Sequence, residues 1–579
     1  MTIKRGTAMQ RRSFVSVSAL TAAGALLAGC RGGLGSGSDG GVSGDSASDG
    51  ASSGGGASDG ASSDGGASAA PAEFQELEAH IMGQRVTARV SPLVRLDETA
   101  TALVVELTRA ADDAAVNDVQ EFQHFDDILI ASNYLGTPPL GTGADGVRLI
   151  DTAGAGRVWV AGSATGGGLN LKPGETAASA VIFAPVDIDQ VTALIPQTGF
   201  VTVSVIGRDQ ADTAGISPEV LAEADKTLKD KSGPGEKAAV VDLERYTRAI
   251  DDSASTHTTD KDVTVTLASD VTFESDSYNL TDKADSQLQT VADQIAQYPD
   301  GGSLDIVGHT DDVADDAHNQ TLSENRAAAV KDRLGQLTDL GKWQVSTTGK
   351  GESEPAVKDT TDEARAANRR VVTTITPTGG TQNGATPSST SSAAPSSSST
   401  PDGNLPESTG PAGKGPDGVT VPEPDGKGQV TFTLDHATRT GGLLTAQLTA
   451  TTGPGGTGST GLNMWLTDPL GPAITAIIQS ARGETGGMGA VDKISEGLTL
   501  LADGQRVYPA DYLPPGGDWH RPLTELSAAE SLKEGATTTI CVAWPDTGQD
   551  TLTLDHAAPR TRGISSYAYR LTDIPVTES

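Results

Sequence analysis

Over residues 73–210 apolar and polar positions alternate in short runs, as in Leu103–Leu107, Val158–Val160 and Val201–Val205, with Gly, Pro and Asp between the runs. Two-residue alternation broken by turn residues predicts half-buried strands in an all-β sandwich rather than a helical bundle. Residues 427–579 have the same character in Val430–Leu434, Leu444–Leu448 and Thr551–Leu554. Between these regions the period changes. Val263, Val265 and Leu267 alternate with threonines, as in a strand; Ala284, Leu288, Val291, Ala292 and Ile295 then recur on one face of a helix. Thr281 is its expected N-cap, and Pro299, Gly301 and Gly302 end it. Leu304, Ile306 and Gly308 read as the next strand, followed by a loop from His309 to Gln320. Thr321 and Glu324 have capping-box spacing, opening a second helix through Ala327, Val330, Leu334 and Leu337. Trp343, Val345 and Thr347 predict a third strand, Glu363–Ala367 a short helix and Val371–Ile375 a last strand. The βαβαβ order with a late strand predicts a mixed sheet over 260–377 with its helices on one face.

The two flanking regions echo one another. Gly83-Gln84-Arg85-Val86-Thr87 resembles Gly428-Gln429-Val430-Thr431-Phe432, and Gly146-Val147-Arg148-Leu149-Ile150 recurs loosely as Gly497-Leu498-Thr499-Leu500-Leu501. Each is followed by Arg-Val-aromatic, at Arg157-Val158-Trp159 and Arg506-Val507-Tyr508. Leu171-Lys172-Pro173-Gly174-Glu175 through Pro185-Val186-Asp187 then finds a counterpart in Leu532-Lys533-Glu534-Gly535-Ala536 through Trp544-Pro545-Asp546. The preserved order predicts a duplicated, immunoglobulin-like β-sandwich, the second copy carrying an insertion around Pro514–Ser527. Trp519 and His520 in that insertion read as packed loop anchors, with an exposed ligand patch as the alternative. The fold class is thus multidomain, a central α/β domain flanked by two all-β sandwiches, with 211–259 connecting the first to the centre.

Composition marks the rest. Residues 1–29 run from basic Lys4, Arg5, Arg11 and Arg12 through a small apolar stretch to Leu27-Ala28-Gly29-Cys30, the order of an export signal. The apolar run is short for a spanning helix, the alternative reading, because about 20 residues are needed. Residues 30–72 are rich in Ser, Gly and Asp and bury too little apolar area to offset the entropy of ordering them. As a coil, about 40 such residues reach roughly 35 Å. Residues 378–426 are rich in Thr, Ser and Pro, then in Gly, Pro and Asp, and are expected to be an extended, unpacked linker. The net charge of −35 argues against a nucleic-acid partner and against anchoring by attraction to anionic lipid. Cys30 and Cys541 are the two cysteines; with Cys30 modified, Cys541 has no partner and the domains fold without disulfides.

Four segments of the centre carry a resemblance. Gly308-His309-Thr310-Asp311, Asn319-Gln320-Thr321-Leu322-Ser323-Glu324-Asn325-Arg326-Ala327, Gly349-Lys350-Gly351-Glu352-Ser353-Glu354-Pro355 and Asn368-Arg369-Arg370-Val371 stand in order over some 60 residues. They resemble the GHTD, NxxLSxxRA, GxGExxP and NRRV elements of the OmpA-like C-terminal peptidoglycan-binding domain. Val372 and Thr373 depart from it, standing where an acidic residue is common. The resemblance implies non-covalent binding of the peptide stem of peptidoglycan, with Asp311 taking the ammonium and Arg326 the carboxylate of the diaminopimelate side chain. A side chain ending in both charges suits one fixed anion and one fixed guanidinium. If the second helix opens at Thr321, Arg326 lies in its first turns and the free N–H groups near Thr321–Ser323 add to an anion site. The alternative is an Asp311–Arg326 ion pair with no ligand role. Thr310, Asn319, Leu322 and Ser323 are expected mainly to shape the loop. Strand neighbours face opposite ways, so at most one of Arg369 and Arg370 can enter the site; the resemblance favours Arg370 as part of the binding framework, with a surface ion pair as the alternative.

Leu27-Ala28-Gly29-Cys30 resembles the lipobox of bacterial lipoproteins, implying a lipidated Cys30, and Gln10-Arg11-Arg12-Ser13-Phe14-Val15 resembles a twin-arginine export motif whose first residue departs from the common form. No nucleophile elbow, phosphate loop or metal cluster stands out: His309 lacks a second ligand at suitable spacing, and Asp555-His556 is a lone pair. No enzyme activity, cofactor or metal is expected. The reading is a lipid-anchored envelope protein bound to peptidoglycan, its flanks contacting another envelope protein. A sensor or accessory protein for wall enzymes is the alternative, and a peptidoglycan hydrolase a more distant one.

Overall fold

The computed structural model describes residues 72–81, 83–113, 129–130, 144, 146–152, 156–165, 170–230, 238–381, 405–423, 426–457, 462, 465–466, 477–479, 485–487, 495–515, 520–523, 532–558 and 567–579. The leader with Arg11 and Arg12, Cys30, the tether to residue 71, Trp519 and the run 382–404 lie outside the described residues. No helix among the described residues is long and apolar enough to cross a membrane.

The central domain comprises β1 (Val263–Ala268), α1 (Ala284–Ala296), β2 (Gly302–Gly308), α2 (Asp316–Leu337), β3 (Trp343–Gly349), α3 (Asp362–Asn368) and β4 (Arg370–Pro377). The sheet order is β3-β2-β4-β1, with β2 and β3 parallel and the other pairs antiparallel, a mixed sheet as the sequence predicts. Alternate residues Val263, Val265, Leu267, Leu304, Ile306, Val371 and Ile375 form one fully buried face. They pack on Leu288, Val291 and Ile295 of α1 and on Ala327, Val330 and Leu334 of α2 in a single apolar cluster.

Two helix starts differ from expectation. α2 begins five residues earlier, because the Asp315 side chain accepts a hydrogen bond from the His318 N–H at 3.0 Å and acts as N-cap. The Thr321 hydroxyl, inside the helix, donates back to the Ala317 carbonyl at 2.9 Å. Thr321–Ser323 therefore offer no free helix-end N–H groups, and Arg326 lies in the third turn, deeper in the helix than a start at Thr321 would place it. Likewise Thr281 does not cap α1 through its side chain; its hydroxyl donates to the Val271 carbonyl, 2.6 Å away.

The flanks are large β-sheet regions with the same pairing order. In the first, Gln75–Ile81, Gln84–Val90, Thr101–Arg109 and Thr176–Phe183 pair antiparallel in sequence. Leu93–Arg95 lies against Thr101–Arg109 and runs parallel to Gly199–Gly207, which leads on to Gln190–Ile195, Arg148–Ile150 and Arg157–Val160. In the second, Val419–Pro422, Gln429–Thr433, Leu443–Thr452 and Thr537–Pro545 repeat the first series. Ala437–Thr440, again parallel to its partner, leads through Tyr569–Glu578, Thr551–His556 and Thr499–Ala502 to Gln505–Val507. The sequence echoes fall on corresponding strands of this repeat or on the turns beside them. In each region residues from both series share one core, including Val105, Leu149, Trp159 and Phe183 in the first and Phe432, Leu500, Trp544 and Tyr569 in the second.

Two segments expected to be connectors are structured. Helix Pro218–Lys229 packs Leu221 and Ala224 against Val104, Ile182 and Ile206, extending the first flank beyond residue 210. Strand Ala239–Asp242 then joins the first flank beside Arg157–Val160, Arg245–Ala249 joins the second beside Gln505–Val507, and Ala254–Thr258 joins β1. The central sheet is thereby continuous with a sheet of the second flank. The expected linker 378–426 is also corrected: Ala412–Lys414 and Val419–Pro422 are strands, with Val419 and Val421 in the core. The glycines that suggested a linker serve close approach. A Cβ on Gly415 would lie 2.5 Å from Ile574 Cγ1, and Gly418 has φ +78°.

The flanks also meet each other. The Gly83 N–H donates to the Thr537 carbonyl at 2.9 Å, Arg148 Nε donates to the Tyr512 hydroxyl at 3.2 Å, and Ile150, Leu194, Leu443 and Cys541 share an apolar cluster. Burial pushes the free Cys541 thiol up to about 12, so it packs as a small apolar group.

Candidate functional site

The site lies where α2 crosses the ends of β2 and β3. A Cβ on Gly308 would come 2.1 Å from the Ser323 carbonyl oxygen, and one on Gly349 within 2.5 Å of Ser323 Oγ and the Glu324 nitrogen. Both strands thus end in glycine so that the helix can lie directly on them. Gly308→Ala is expected to push α2 away and cost about 1–3 kcal/mol in denaturant unfolding of the full chain; an unchanged midpoint would show that the helix yields freely.

The loop between β2 and α2 is clipped at several points. The Thr310 N–H donates to the Gly351 carbonyl (2.9 Å), and Ser323 Oγ accepts from the Gly351 N–H (2.9 Å) while donating to the Gln320 carbonyl (2.8 Å). Asn319 Nδ2 reaches the carbonyls of Asp311 and Ala314 at 3.2 Å each and Glu352 Oε2 at 2.6 Å. Leu322 is half-buried. The structure therefore places Thr310, Asn319 and Ser323 in the loop framework around Asp311.

Two guanidiniums stand beside that loop. Arg326 is 4% exposed; its Nε donates to the Ser277 carbonyl at 3.0 Å and its charge sits 5.2 Å from the centre of the Phe273 ring. Among the described residues no carboxylate lies within 4.0 Å of it, so there is no Asp311–Arg326 ion pair, and its Nη1 and Nη2 have no hydrogen-bond partner. Burial lowers the pKa of this guanidinium, an effect that Asp270, Asp276 and Asp311 offset in part from a distance.

Asp311 instead pairs with Arg369, Oδ2 to Nη1 at 2.6 Å. Arg369 also grips Asp270 through two bonds of 2.6 Å, and these contacts, Asp270 first, raise its pKa. Arg370 turns elsewhere, donating to the carbonyls of Glu354 (3.1 Å) and Asn368 (3.3 Å). The strand-alternation argument did not apply to this pair: β4 starts at Arg370, and Arg369 is the C-cap of α3. Sequence reasoning missed Asp270 and assigned no role to Arg369. The NRRV element flagged the arginines, but nothing local points to Asp270, 99 residues away from Arg369 in the chain.

His309 is 4% exposed beside Arg370, its Nδ1 has no hydrogen-bond partner among the described residues, and no metal-ligating cluster found among those residues includes it. Burial first, and the Arg370 charge second, push its pKa from 6.5 down to about 4. Between these pH values the unfolded chain takes up a proton that the folded chain refuses. The stability this confers is fully present above pH 6.5 and is lost as pH falls toward 4, a change of about 3 kcal/mol. Unfolding of the full chain between pH 7.5 and 4 is expected to show that loss, and His309→Asn to reduce its slope. An identical slope in the variant would assign the pH dependence to other groups.

Residues 272–369 match the model of the OmpA family. Outer membrane porin F of Pseudomonas aeruginosa is 41% identical over 102 residues, 18% of this chain and 29% of the porin, so the chain spans less than a third of that relative. YfiB of Escherichia coli K12 is 32% identical over 111 residues, 19% of this chain and 68% of YfiB. Among solved structures, the cell wall anchor of the T6SS from Pseudomonas aeruginosa shares 28% identity over 22% of this chain and 89% of that one, with a TM-score of 0.20. The peptidoglycan-associated lipoprotein from Burkholderia pseudomallei shares 28% over 17% and 84%, with a TM-score of 0.15. The OmpA-type domain is non-catalytic. Through the sheet, the crossing helix and the four motifs of its central domain, the chain belongs to the OmpA family.

Proposed function

We propose that the central domain binds the peptide stem of peptidoglycan non-covalently, Arg326 taking the diaminopimelate side-chain carboxylate and Asp311 its ammonium. One observation carries this reading: Arg326 is a buried guanidinium with no carboxylate within 4.0 Å among the described residues and with two free nitrogens. A buried charge is costly unless paired, and an incoming carboxylate supplies the partner through two nearly parallel bonds. Asp311, fixed by Arg369, keeps acceptor capacity for an ammonium. The exposed Tyr278 and Val313 give the site an apolar rim.

In this reading lipidated Cys30 holds the chain on the outer face of a membrane, the domain holds the wall, and the flanks are immunoglobulin-like modules for another envelope protein. Co-sedimentation of the full chain with purified sacculi tests the first element. Diaminopimelate-type walls are expected to carry the protein down and lysine-type walls, which lack the second carboxylate, are not; equal binding to both, or to neither, rejects the assignment. An intact mass of native protein with unmodified Cys30 rejects the anchor.

A further inference from the structure

We propose that Glu244, His257 and His520 form a binding site for a zinc ion at the joint between the central domain and the second flank. The three residues come from three segments of the chain; Glu244 and His257 are held by backbone pairing, and His520 directly precedes a paired strand. Glu244 lies between Ala239–Asp242 and Arg245–Ala249 and forms a two-way bridge with Asp511, at 2.7 and 3.2 Å. His257 stands in Ala254–Thr258 opposite Tyr246. His520 adjoins Arg521–Pro522, which pairs with Asp511–Tyr512. The insertion that distinguishes the second flank from the first therefore delivers a histidine to the strands that tie the central sheet to it.

The donor atoms converge on one point. His520 Nε2 is 2.7 Å from Glu244 Oε2, and His257 Nε2 contacts the same oxygen. All three ligand atoms lie within 4.8 Å of one another, and the imidazoles meet edge to face with centroids 5.5 Å apart. Zinc takes imidazole nitrogen and carboxylate oxygen at about 2.0–2.2 Å, which at tetrahedral angles sets donors roughly 3.3 Å apart. Opening the His520–Glu244 contact by about 0.6 Å reaches that spacing. The side chains of Glu244 and His520 are 12% and 11% exposed, while that of His257 is 28% exposed. The pocket is thus fixed on two sides and open on the third, where an ion enters and water supplies a fourth ligand. Two imidazoles and one carboxylate suit zinc better than calcium or magnesium, which favour all-oxygen shells.

The test uses the full chain stripped with a chelator. Calorimetric titration with Zn2+ is expected to give one ion per chain and a raised melting temperature that chelator reverses, with Mg2+ producing neither. His257→Ala and His520→Ala are each expected to weaken binding by about 100-fold or more, since each removes one of three protein bonds. His436→Ala, an exposed histidine elsewhere, should leave binding intact. Should the alanine variants fail to fold, Co2+ absorption of the wild-type chain reads the site without mutation: a tetrahedral spectrum displaced by one equivalent of Zn2+ supports it. A wild-type chain that binds no zinc, or binding that survives unchanged in both histidine variants, overturns the proposal.

Discussion

Arg326→Ala is expected to weaken binding of diaminopimelate-type peptidoglycan by roughly 10- to 150-fold, the loss that follows from removing a charged hydrogen bond of about 1.5–3 kcal/mol. Asp311→Ala should fall in the same range, because the ligand ammonium then loses its counterion. The two effects should add to less than their sum, since one end of the ligand cannot stay well placed once the other is released. Arg326→Lys separates geometry from charge: it keeps the cation, loses the planar fork and should recover only part of the affinity. Arg369→Ala asks a different question. Arg369 holds Asp311 at 2.6 Å and is itself clamped by Asp270, so its removal should misplace the Asp311 carboxylate while leaving Arg326 untouched. Binding to sacculi by the full-length variants, each first shown to melt like wild type, measures these losses. Wild-type affinity in both folded alanine variants would sink the assigned site.

That site was partly legible. The four motifs singled out Asp311 and Arg326, the residues proposed to read the ligand: two motifs begin at strand-end glycines where a Cβ would strike α2, one lies on that helix and one opens β4. The neighbouring charges were less visible. Asp311 finds Arg369 and Arg369 finds Asp270 only after β1, α3 and β4 are assembled, and the alternation rule failed because it presumed a strand one residue too early. Helix starts misled for a related reason. Thr321 and Glu324 have capping-box spacing, yet Asp315 caps first and the helix runs through them. In the flanks the pattern conveyed strands and a repeat, since alternation and echoed turns are local. It did not convey that residues 239–258 stitch three sheets together, because such short strands gain stability only from partners far away in sequence. His520 was read as a loop anchor, and only the assembled joint places it on Glu244.

Asp555→Ala should destabilise the second flank by about 3–5 kcal/mol, the usual cost of leaving buried charge without its partner. Asp555 is 2% exposed and serves two guanidiniums, accepting from Arg570 Nε at 2.8 Å and from Arg506 Nη1 at 2.7 Å. Arg506 also reaches Thr499 Oγ1 at 3.2 Å, and Arg570 donates to the Pro406 carbonyl at 2.7 Å. One carboxylate thus ties together strands Thr499–Ala502, Gln505–Val507, Thr551–His556 and Tyr569–Glu578 and the segment that enters the domain. With alanine, two largely buried cations lose their common anion and repel each other; Asp555→Asn keeps shape and one acceptor and should cost less. Replacing Asp555, Arg506 and Arg570 together by apolar residues should recover much of the loss, because desolvation of the charges is then removed as well. The effect should also reach the joint, since Arg506 lies opposite Arg248 in the pairing that attaches the second flank to the strands leading into the central sheet. Denaturant unfolding of the full chain measures the stability loss, and amide exchange across residues 245–258 measures its spread. A stability change below about 1 kcal/mol would place the network among the ion pairs that add little. Unchanged exchange at 245–258 alongside a large loss would confine the effect to the flank.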